Sequence, residues 1–218
     1  VDSVIMVIDC ANGVEAQTER LMEVCRMRDT PVIVFINKMD REGQDAFDLL
    51  DEIEEKLQIK VRPMSWPIGI GATFQGVYNM FKKQLNLFSG NKTNIEKEVY
   101  EIEGLEDSKL ESFIGEEETE LLKEEVELID GVYDQFDQEK YLNGKLAPVF
   151  FGSALNNFGV QELLDAFIEI SPCPKGRESE KRAIEPLENK FSGFVFKIHA
   201  NIDPKHRDRI AFLRIVSG

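Results

Sequence analysis

The sequence predicts an α/β fold: a mostly parallel sheet with flanking helices, then a mixed α+β block and an antiparallel hairpin. Three observations predict it. Short apolar runs alternate with amphipathic helical patterns through residue 68. Between residues 71 and 146, aromatic, Lys/Glu-rich and acidic stretches replace that alternation. From residue 191 onward, apolar and polar residues alternate as they do in antiparallel strands.

The first part of the chain reads as strand, helix, strand, helix, strand. Apolar strand runs cover 4–8, 31–36 and 61–68, and helical patterns cover 18–28 and 45–56. This order is typical of a parallel sheet with crossover helices. In the first helix, Leu21, Val24 and Cys25 are expected to pack inward. The third strand contains Pro63 and Pro67, which predict an edge or end position in a sheet.

The block that follows is predicted to hold strands and an acidic helix. β-forming and aromatic residues fill 76–88, a turn is predicted at 89–91, an exposed strand at 95–102 and a helix at 116–130. Four apolar residues of this helix are expected to pack, namely Leu121, Leu122, Val126 and Ile129. Its glutamates are interpreted as a solvated face, with a docking surface for a basic protein as the alternative.

Polar residues follow the buried run 31–36 directly, in the order Asn37-Lys38-Met39-Asp40. Open α/β sheets bind ligands at the carboxyl ends of their strands. An ionised Asp accepts two parallel N–H donors, and guanine offers such a pair in N1–H and its amino group. The stem of Lys38 can lie on a purine face, and Asn37 can bridge the base and a neighbouring loop. An ordinary turn after a strand is the alternative interpretation.

A second polar turn, Ser153-Ala154-Leu155, follows the predicted strand 148–151. There the backbone N–H of Ala154 can reach a base carbonyl while Ser153 braces Asp40. A helical pattern comes directly afterwards and consists of Val160, Leu163, Leu164, Phe167 and Ile168. The tripeptide alone is a weak signal, but its place between a strand and a helix makes it a good one.

Composition and charge exclude several classes of function. The 26 basic and 41 acidic residues give a net charge of -15, which does not suit indiscriminate binding to nucleic acid, so we expect no DNA partner. Cys10, Cys25 and Cys173 have no metal-binding spacing, and the first two are expected to be packed thiols. We find no signal peptide and no apolar run that could span a bilayer, and therefore expect a cytoplasmic location and no membrane partner.

The motifs at 37–40 and 153–155 together resemble the guanine-recognition motifs of the translational GTPases. The opening segment 1–18 resembles the strand and loop that follow the family's Asp-x-Pro-Gly-His switch motif. Within the family, Trp66-Pro67-Ile68-Gly69 and the segment 201–209 favour the class II peptide chain release factors, the release factor 3 branch, over elongation factor G. The resemblance covers nearly the whole chain and is weakest over 88–130.

The resemblance implies a P-loop GTPase-type fold whose N-terminal part is absent from these residues. Residues 1–172 would be the C-terminal part of the GTP-binding domain, with an insertion at about 72–146. Residues 173–187 would be a linker, and 188–218 the start of a β-barrel second domain. No Gly-x-x-x-x-Gly-Lys-Ser/Thr phosphate loop occurs in the sequence, so we expect an internal fragment that does not hydrolyse GTP alone.

The resemblance also implies roles, a cofactor and partners. Asp40 would read guanine, Asn37 would contact the base, Lys38 would stack on it, and the pocket would be closed by Ser153, Ala154 and Leu155. GTP or GDP would be the ligand, with Mg²⁺ in the intact protein, and this chain would hold no catalytic residue and no metal ligand. The intact protein would bind the ribosome and promote departure of class I release factors with GTP hydrolysis. The alternatives are an elongation factor G-like translocation GTPase and a non-enzymatic interaction module.

Overall fold

The computed structural model describes residues 1–91, 94–102, 104–107, 109–200 and 209–218. The chain forms two compact units, Ser3–Ser171 together with Val1, and Pro172–Gly218 together with Asp2. Most of the segment 201–209, which favours the release factor branch, lies outside the described residues. Among the helices of the described part of the chain, none is both long and apolar enough to cross a bilayer.

The first unit is built on a four-stranded, all-parallel sheet, which confirms the predicted fold class. Its strands, in spatial order, are β1 (Val4–Asp9), β2 (Val32–Asn37), β8 (Leu146–Phe151) and β3 (Lys60–Pro63). Every residue of β8 is buried, and so is all of β2 except Asn37. In the β2–β8 register Ile36 lies opposite Phe151, so the two central strands end at the same edge of the sheet.

The helices α1 (Ala16–Met27) and α6 (Val160–Ile170) form as predicted, but some apolar residues of their predicted patterns are exposed. In α1, Met22 and Cys25 are buried, whereas Leu21 and Val24 are each 51% exposed, so that part of the prediction is wrong. In α6 the apolar residues Leu163, Ala166 and Ile170 are buried, whereas Leu164 and Ile168 are exposed. The reason is that neighbouring helical positions point about 100° apart, so in these two helices one residue of an adjacent apolar pair can face the core while the other faces solvent.

The helix α2 (Ala46–Leu57) begins at a side-chain cap. The Asp45 side chain accepts hydrogen bonds from the backbone N–H groups of Phe47 and Asp48, at 2.8 and 3.4 Å. The helix buries its apolar stripe, which consists of Leu49, Leu50, Ile53 and Leu57. This stripe packs into the main core of the unit with the β2 and β8 side chains.

A second, antiparallel sheet begins where the run 61–68 splits. It consists of β4 (Ser65–Ile68), β5 (Gly76–Asn79), β6 (Gln84–Asn91) and β7 (Asn94–Glu101), in that spatial order. Both β3 and β4 are edge strands, as their prolines predicted, and Met64 between them donates its N–H to the Val149 carbonyl at 2.8 Å. The turn predicted at 89–91 is wrong, because the pairing of β6 with β7 continues through Asn91.

The helices that follow are α3 (Lys109–Ile114), α4 (Glu116–Val132) and α5 (Gln138–Leu142). In the acidic helix α4, Leu122, Val126 and Ile129 are buried as predicted, whereas Leu121 is half-exposed. Two polar contacts attach α4 to the strands. Buried Arg62 donates to Asp130 Oδ1 at 2.6 Å, and Trp66 Nε1 donates to Glu125 Oε2 at 2.7 Å.

The second unit contains an antiparallel hairpin of β11 (Ser192–Ala200) and β12 (Arg209–Ser217). Many of its apolar side chains are exposed, among them Phe196, Ile198 and Ile215. Before the hairpin, the two-residue strands β9 (Arg177–Glu178) and β10 (Ala183–Ile184) pair antiparallel within the stretch 173–187.

Candidate nucleotide-base site

The two polar turns meet at the carboxyl edge of the parallel sheet. Backbone hydrogen bonds continue the pairing of the two central strands beyond their ends. Gly152 N–H donates to the Ile36 carbonyl at 2.9 Å, and Met39 N–H donates to the Gly152 carbonyl at 3.0 Å. The turn at 37–40 therefore lies directly beside the turn at 153–155.

Asn37 connects the two turns with its side chain. Its Oδ1 accepts a hydrogen bond from Lys38 N–H at 2.9 Å and one from Ala154 N–H at 2.8 Å. The Ala154 N–H, which we expected to reach a base carbonyl, is thus bonded to Asn37 here. A bound base carbonyl would have to share or replace that bond.

Lys38 adopts a left-handed backbone conformation, with φ of 70°. Its ammonium forms an ion pair with Asp9 at the end of β1. This hydrogen bond from Lys38 holds the pKa of the Asp9 carboxyl below its ordinary value. A cavity of about 250 Å³ borders Asn37 and Lys38 and is also lined by Val7, Ile8, Asp9, Gly13, Glu15 and Thr18.

Asp40 is half-buried, and its two carboxylate oxygens have different surroundings. Oδ2 accepts a hydrogen bond from Asn156 Nδ2 at 3.0 Å. Oδ1 is buried and has no hydrogen-bond partner among the described residues. Native proteins pair most buried polar atoms, so the unpaired Oδ1 is an acceptor that a ligand's N–H group could satisfy.

Asn156 is the site residue that sequence reasoning missed. We expected Ser153 to brace Asp40, but the structure gives that contact to the Asn156 amide, whose Nδ2 also lies 3.5 Å from Ser153 Oγ. The available signal was a side-chain amide three positions after Ser153 in the same loop. Ser153 itself is 1% exposed.

The loop after β8 is closed by a pair of backbone hydrogen bonds between Ser153 and Phe158, both 2.9 Å long. This closure brings backbone atoms so near to Gly152 that a Cβ there would lie 2.1 Å from the Phe158 carbonyl oxygen. Gly159 has φ of 71°, and its Cβ would lie 2.3 Å from the Phe151 carbonyl oxygen. At the tip of the loop, Leu155 is 81% exposed.

The mixed α+β block contacts the turn at 37–40 and the loop after β8. Gly71 N–H donates to the Met39 carbonyl at 2.9 Å. The Phe158 ring stacks on Phe88 of β6 with 3.8 Å between centroids, and Phe74 lies 6.1 Å from each of them. The loop after β8 is therefore held by contacts with the mixed α+β block as well as by hydrogen bonds to the parallel sheet.

Cys10 packs beneath the turn at 37–40. It is fully buried, and its Sγ donates to the Lys38 carbonyl at 3.1 Å. Burial raises the pKa of the Cys10 thiol, and Cys25 is also buried, so the prediction of two packed thiols is confirmed. Within the described ranges, no group of three or more His, Cys, Asp or Glu side chains is placed to hold a metal ion.

Comparison with known protein families agrees with this architecture. The sequence matches the family model of the elongation factor Tu GTP-binding domain over residues 1–173, and that of elongation factor G domain 2 over residues 190–218. The first match spans both polar turns and most of the chain. The chain therefore belongs to the translational GTPase family and carries GTP-binding domain sequence of that family.

Proposed function

We propose that this chain supplies the guanine-recognition half of the nucleotide site in a translational GTPase. In this proposal Asp40 accepts hydrogen bonds from N1–H and the amino group of guanine. The observation that carries the proposal is the buried, unpartnered Oδ1 of Asp40 beside the loop at 153–155. A ligand with two parallel N–H donors would satisfy that oxygen, and adenine has no N1–H to offer.

The neighbouring residues complete the proposed base pocket. Asn37 would hold the Ala154 N–H near the base carbonyl, which would share or replace the hydrogen bond that this N–H donates to Asn37. The aliphatic stem of Lys38 would lie on one purine face. Leu155, which is exposed at the loop tip, would cover the base, while buried Ser153 would support the loop.

For the intact protein we propose GTP binding and hydrolysis with Mg²⁺, action on the ribosome in the cytoplasm, and promotion of the departure of class I release factors. Family membership supports the GTPase activity and the ribosome as the place of action. The release step rests on the sequence resemblance at 66–69 and 201–209. Elongation factor G-like translocation is the second candidate, favoured by the match of residues 190–218 to elongation factor G domain 2.

Nucleotide specificity tests the assignment of Asp40. In the full-length protein, Asp40→Asn replaces one acceptor oxygen by a donor, which suits xanthine and repels guanine. We expect affinity for GDP to fall by about 100-fold or more and affinity for xanthosine diphosphate to rise. Asp48→Asn, the same change on the exposed surface of α2, is the control and should alter neither affinity. An unchanged preference in the Asp40 variant would show that this carboxylate does not read the base.

The biological step is tested on ribosomes. Terminated ribosomes carrying a labelled class I release factor are mixed with the full-length protein and GTP, and the dissociation rate of the label is measured. We expect faster dissociation that requires the nucleotide. Faster tRNA translocation in a parallel assay, without any effect on the label, would replace the termination proposal by the elongation factor G-like one.

A further inference from the structure

We propose that Asn156 is a positioning residue for guanine recognition. Its side-chain amide holds the Asp40 carboxylate in the orientation that leaves Oδ1 free for the base. This inference rests on the proposed role of Asp40 and adds a specificity determinant to it. Neither polar motif contains Asn156, which lies one position beyond Leu155.

The geometry places the amide between the two motifs. Asn156 Nδ2 donates to Asp40 Oδ2 at 3.0 Å, across 116 positions of sequence, and lies 3.5 Å from Ser153 Oγ. An amide nitrogen carries two hydrogens, so Nδ2 can donate to both Asp40 Oδ2 and Ser153 Oγ, although the longer contact with Ser153 is the weaker one. Because Ser153 is buried, it gives the half-exposed amide a fixed neighbour.

The orientation of Asp40 matters because its terminal torsion is soft. The χ2 angle of an aspartate has a broad distribution, so a carboxylate with no fixed partner can rotate. The two parallel donors of guanine require both oxygens of Asp40 close to one plane. A bond from Asn156 to Oδ2 selects one orientation, and in that orientation Oδ1 is buried and unpartnered.

The amide and the base can bind Asp40 at the same time. A carboxylate oxygen has two lone pairs, so Oδ2 can accept from Asn156 and from the amino group of guanine together. Oδ1 would then accept N1–H alone. Asn156 therefore acts through Asp40 and does not need to touch the nucleotide.

The loop backbone gives Asn156 this position and offers a matched control beside it. The Ser153–Phe158 backbone pair closes the loop, and Asn157 takes the left-handed conformation with φ of 59°. Asn157 is exposed. Asp is also tolerated in that conformation, so Asn157→Asp adds a negative charge one residue away from Asn156 without backbone strain.

The experiment compares GDP with inosine diphosphate, which lacks the amino group, in the full-length protein. Affinities are measured for the wild type, Asn156→Ala, Asn156→Asp and Asn157→Asp. We expect GDP to bind about 10-fold more weakly to Asn156→Ala, the usual effect of losing one hydrogen bond to a charged group. Asn156→Asp should lose about 100-fold, since two carboxylates would share the site. Asn157→Asp should stay within about 2-fold of the wild type.

The preference for GDP over inosine diphosphate separates positioning from mere support of the loop. A misoriented Asp40 cannot pair well with both donors of guanine, N1–H and the amino group, whereas inosine diphosphate offers only N1–H. GDP should therefore lose more affinity than inosine diphosphate, and the preference for GDP should shrink in both Asn156 variants. An equal loss for both nucleotides, or GDP binding within about 2-fold of wild type, would overturn the inference while Asp40 still reads the base. A wild type that shows no preference for guanine would instead overturn the proposed function. If either Asn156→Ala or Asn156→Asp fails to fold, the other variant still tests the inference.

Discussion

Phe88 of β6 and Phe158 of the loop after β8 stack almost parallel, with 3.8 Å between ring centroids and 11° between ring planes. Phe88 belongs to the antiparallel sheet, whereas Phe158 lies in the loop that follows β8 of the parallel sheet. Phe158 also forms the backbone pair that closes the loop around Ser153. The stack therefore connects the mixed α+β block to the candidate base site.

Phe88→Leu should loosen that loop. Loss of the stack should lower the free energy of unfolding by about 1–2 kcal/mol and speed amide hydrogen exchange at residues 153–158. Phe113→Leu is the control, because Phe113 stacks on Tyr100 at 4.0 Å inside the mixed block. The control should lower stability without faster exchange at 153–158. Equal exchange in the two variants would show that the stack does not hold the loop.

Gly152→Ala should be strongly destabilising. Its Cβ would lie 2.1 Å from the Phe158 carbonyl oxygen, so the loop closure must open or shift, with a loss of about 3 kcal/mol or more. Gly131→Ala in α4 is the matched control, since nothing lies within 4 Å of its added Cβ. The control should gain about 0.5–1 kcal/mol from better helix propensity. Thermal unfolding of both variants checks the prediction, and a Gly152 variant as stable as wild type would contradict it.

Asn37→Ala should uncouple the two turns. It removes the acceptor of both Lys38 N–H and Ala154 N–H, so we expect a loss of about 1–2 kcal/mol and faster exchange of the Ala154 amide. Urea denaturation and hydrogen exchange measure the two effects. Asn143→Ala at the exposed end of α5 should change stability by less than about 0.5 kcal/mol. Unchanged exchange at Ala154 would mean that water replaces Asn37 without consequence.

Glu125→Gln should change how stability depends on pH. Burial raises the pKa of the Glu125 carboxyl above its ordinary value of 4.5, the nearby Asp45 and Glu118 raise it further, and the Trp66 N–H opposes them. The folded state therefore binds this proton more tightly than the unfolded state, and wild-type stability falls as pH rises through the window above 4.5. Glu125→Gln removes this pH-dependent loss of stability, and its amide oxygen can still accept the hydrogen bond from the Trp66 N–H.

The stability difference between Glu125→Gln and wild type should therefore grow in favour of the variant as pH rises from about 4 to neutral. Urea denaturation across that range measures it. Glu120→Gln on the exposed face of the same helix controls for the change in net charge. A difference that grows in the opposite direction would mean that the carboxylate, once ionised, is stabilised by its surroundings.

The meeting of the two polar turns could be predicted from the sequence because it follows from strand order. The runs at 31–36 and 148–151 are apolar enough to be central parallel strands, and such strands end at one edge of a sheet. Residues placed after each strand must then lie close together, as Asn37 and Ala154 do. Their role toward guanine stays a prediction.

The burial of individual helix residues was less predictable from the sequence than the meeting of the two turns. Leu21, Val24 and Ile168 fit a helical apolar pattern but are exposed, because periodicity gives a helix face only to within one or two positions. Which of two adjacent apolar residues is buried depends on the surface that the helix meets. That surface is made by residues far away in sequence.

The sequence by itself determined the family, the parallel sheet and the meeting of the two turns at one edge of that sheet, since each depends on periodicity or on a short motif. Only the tertiary structure decided that Asn156 holds Asp40 and that Phe88 stacks on Phe158. Neither contact has a periodic or motif signal. Each contact depends on where the loop after β8 places one side chain. A hydrogen bond requires that placement to within a few tenths of an ångström.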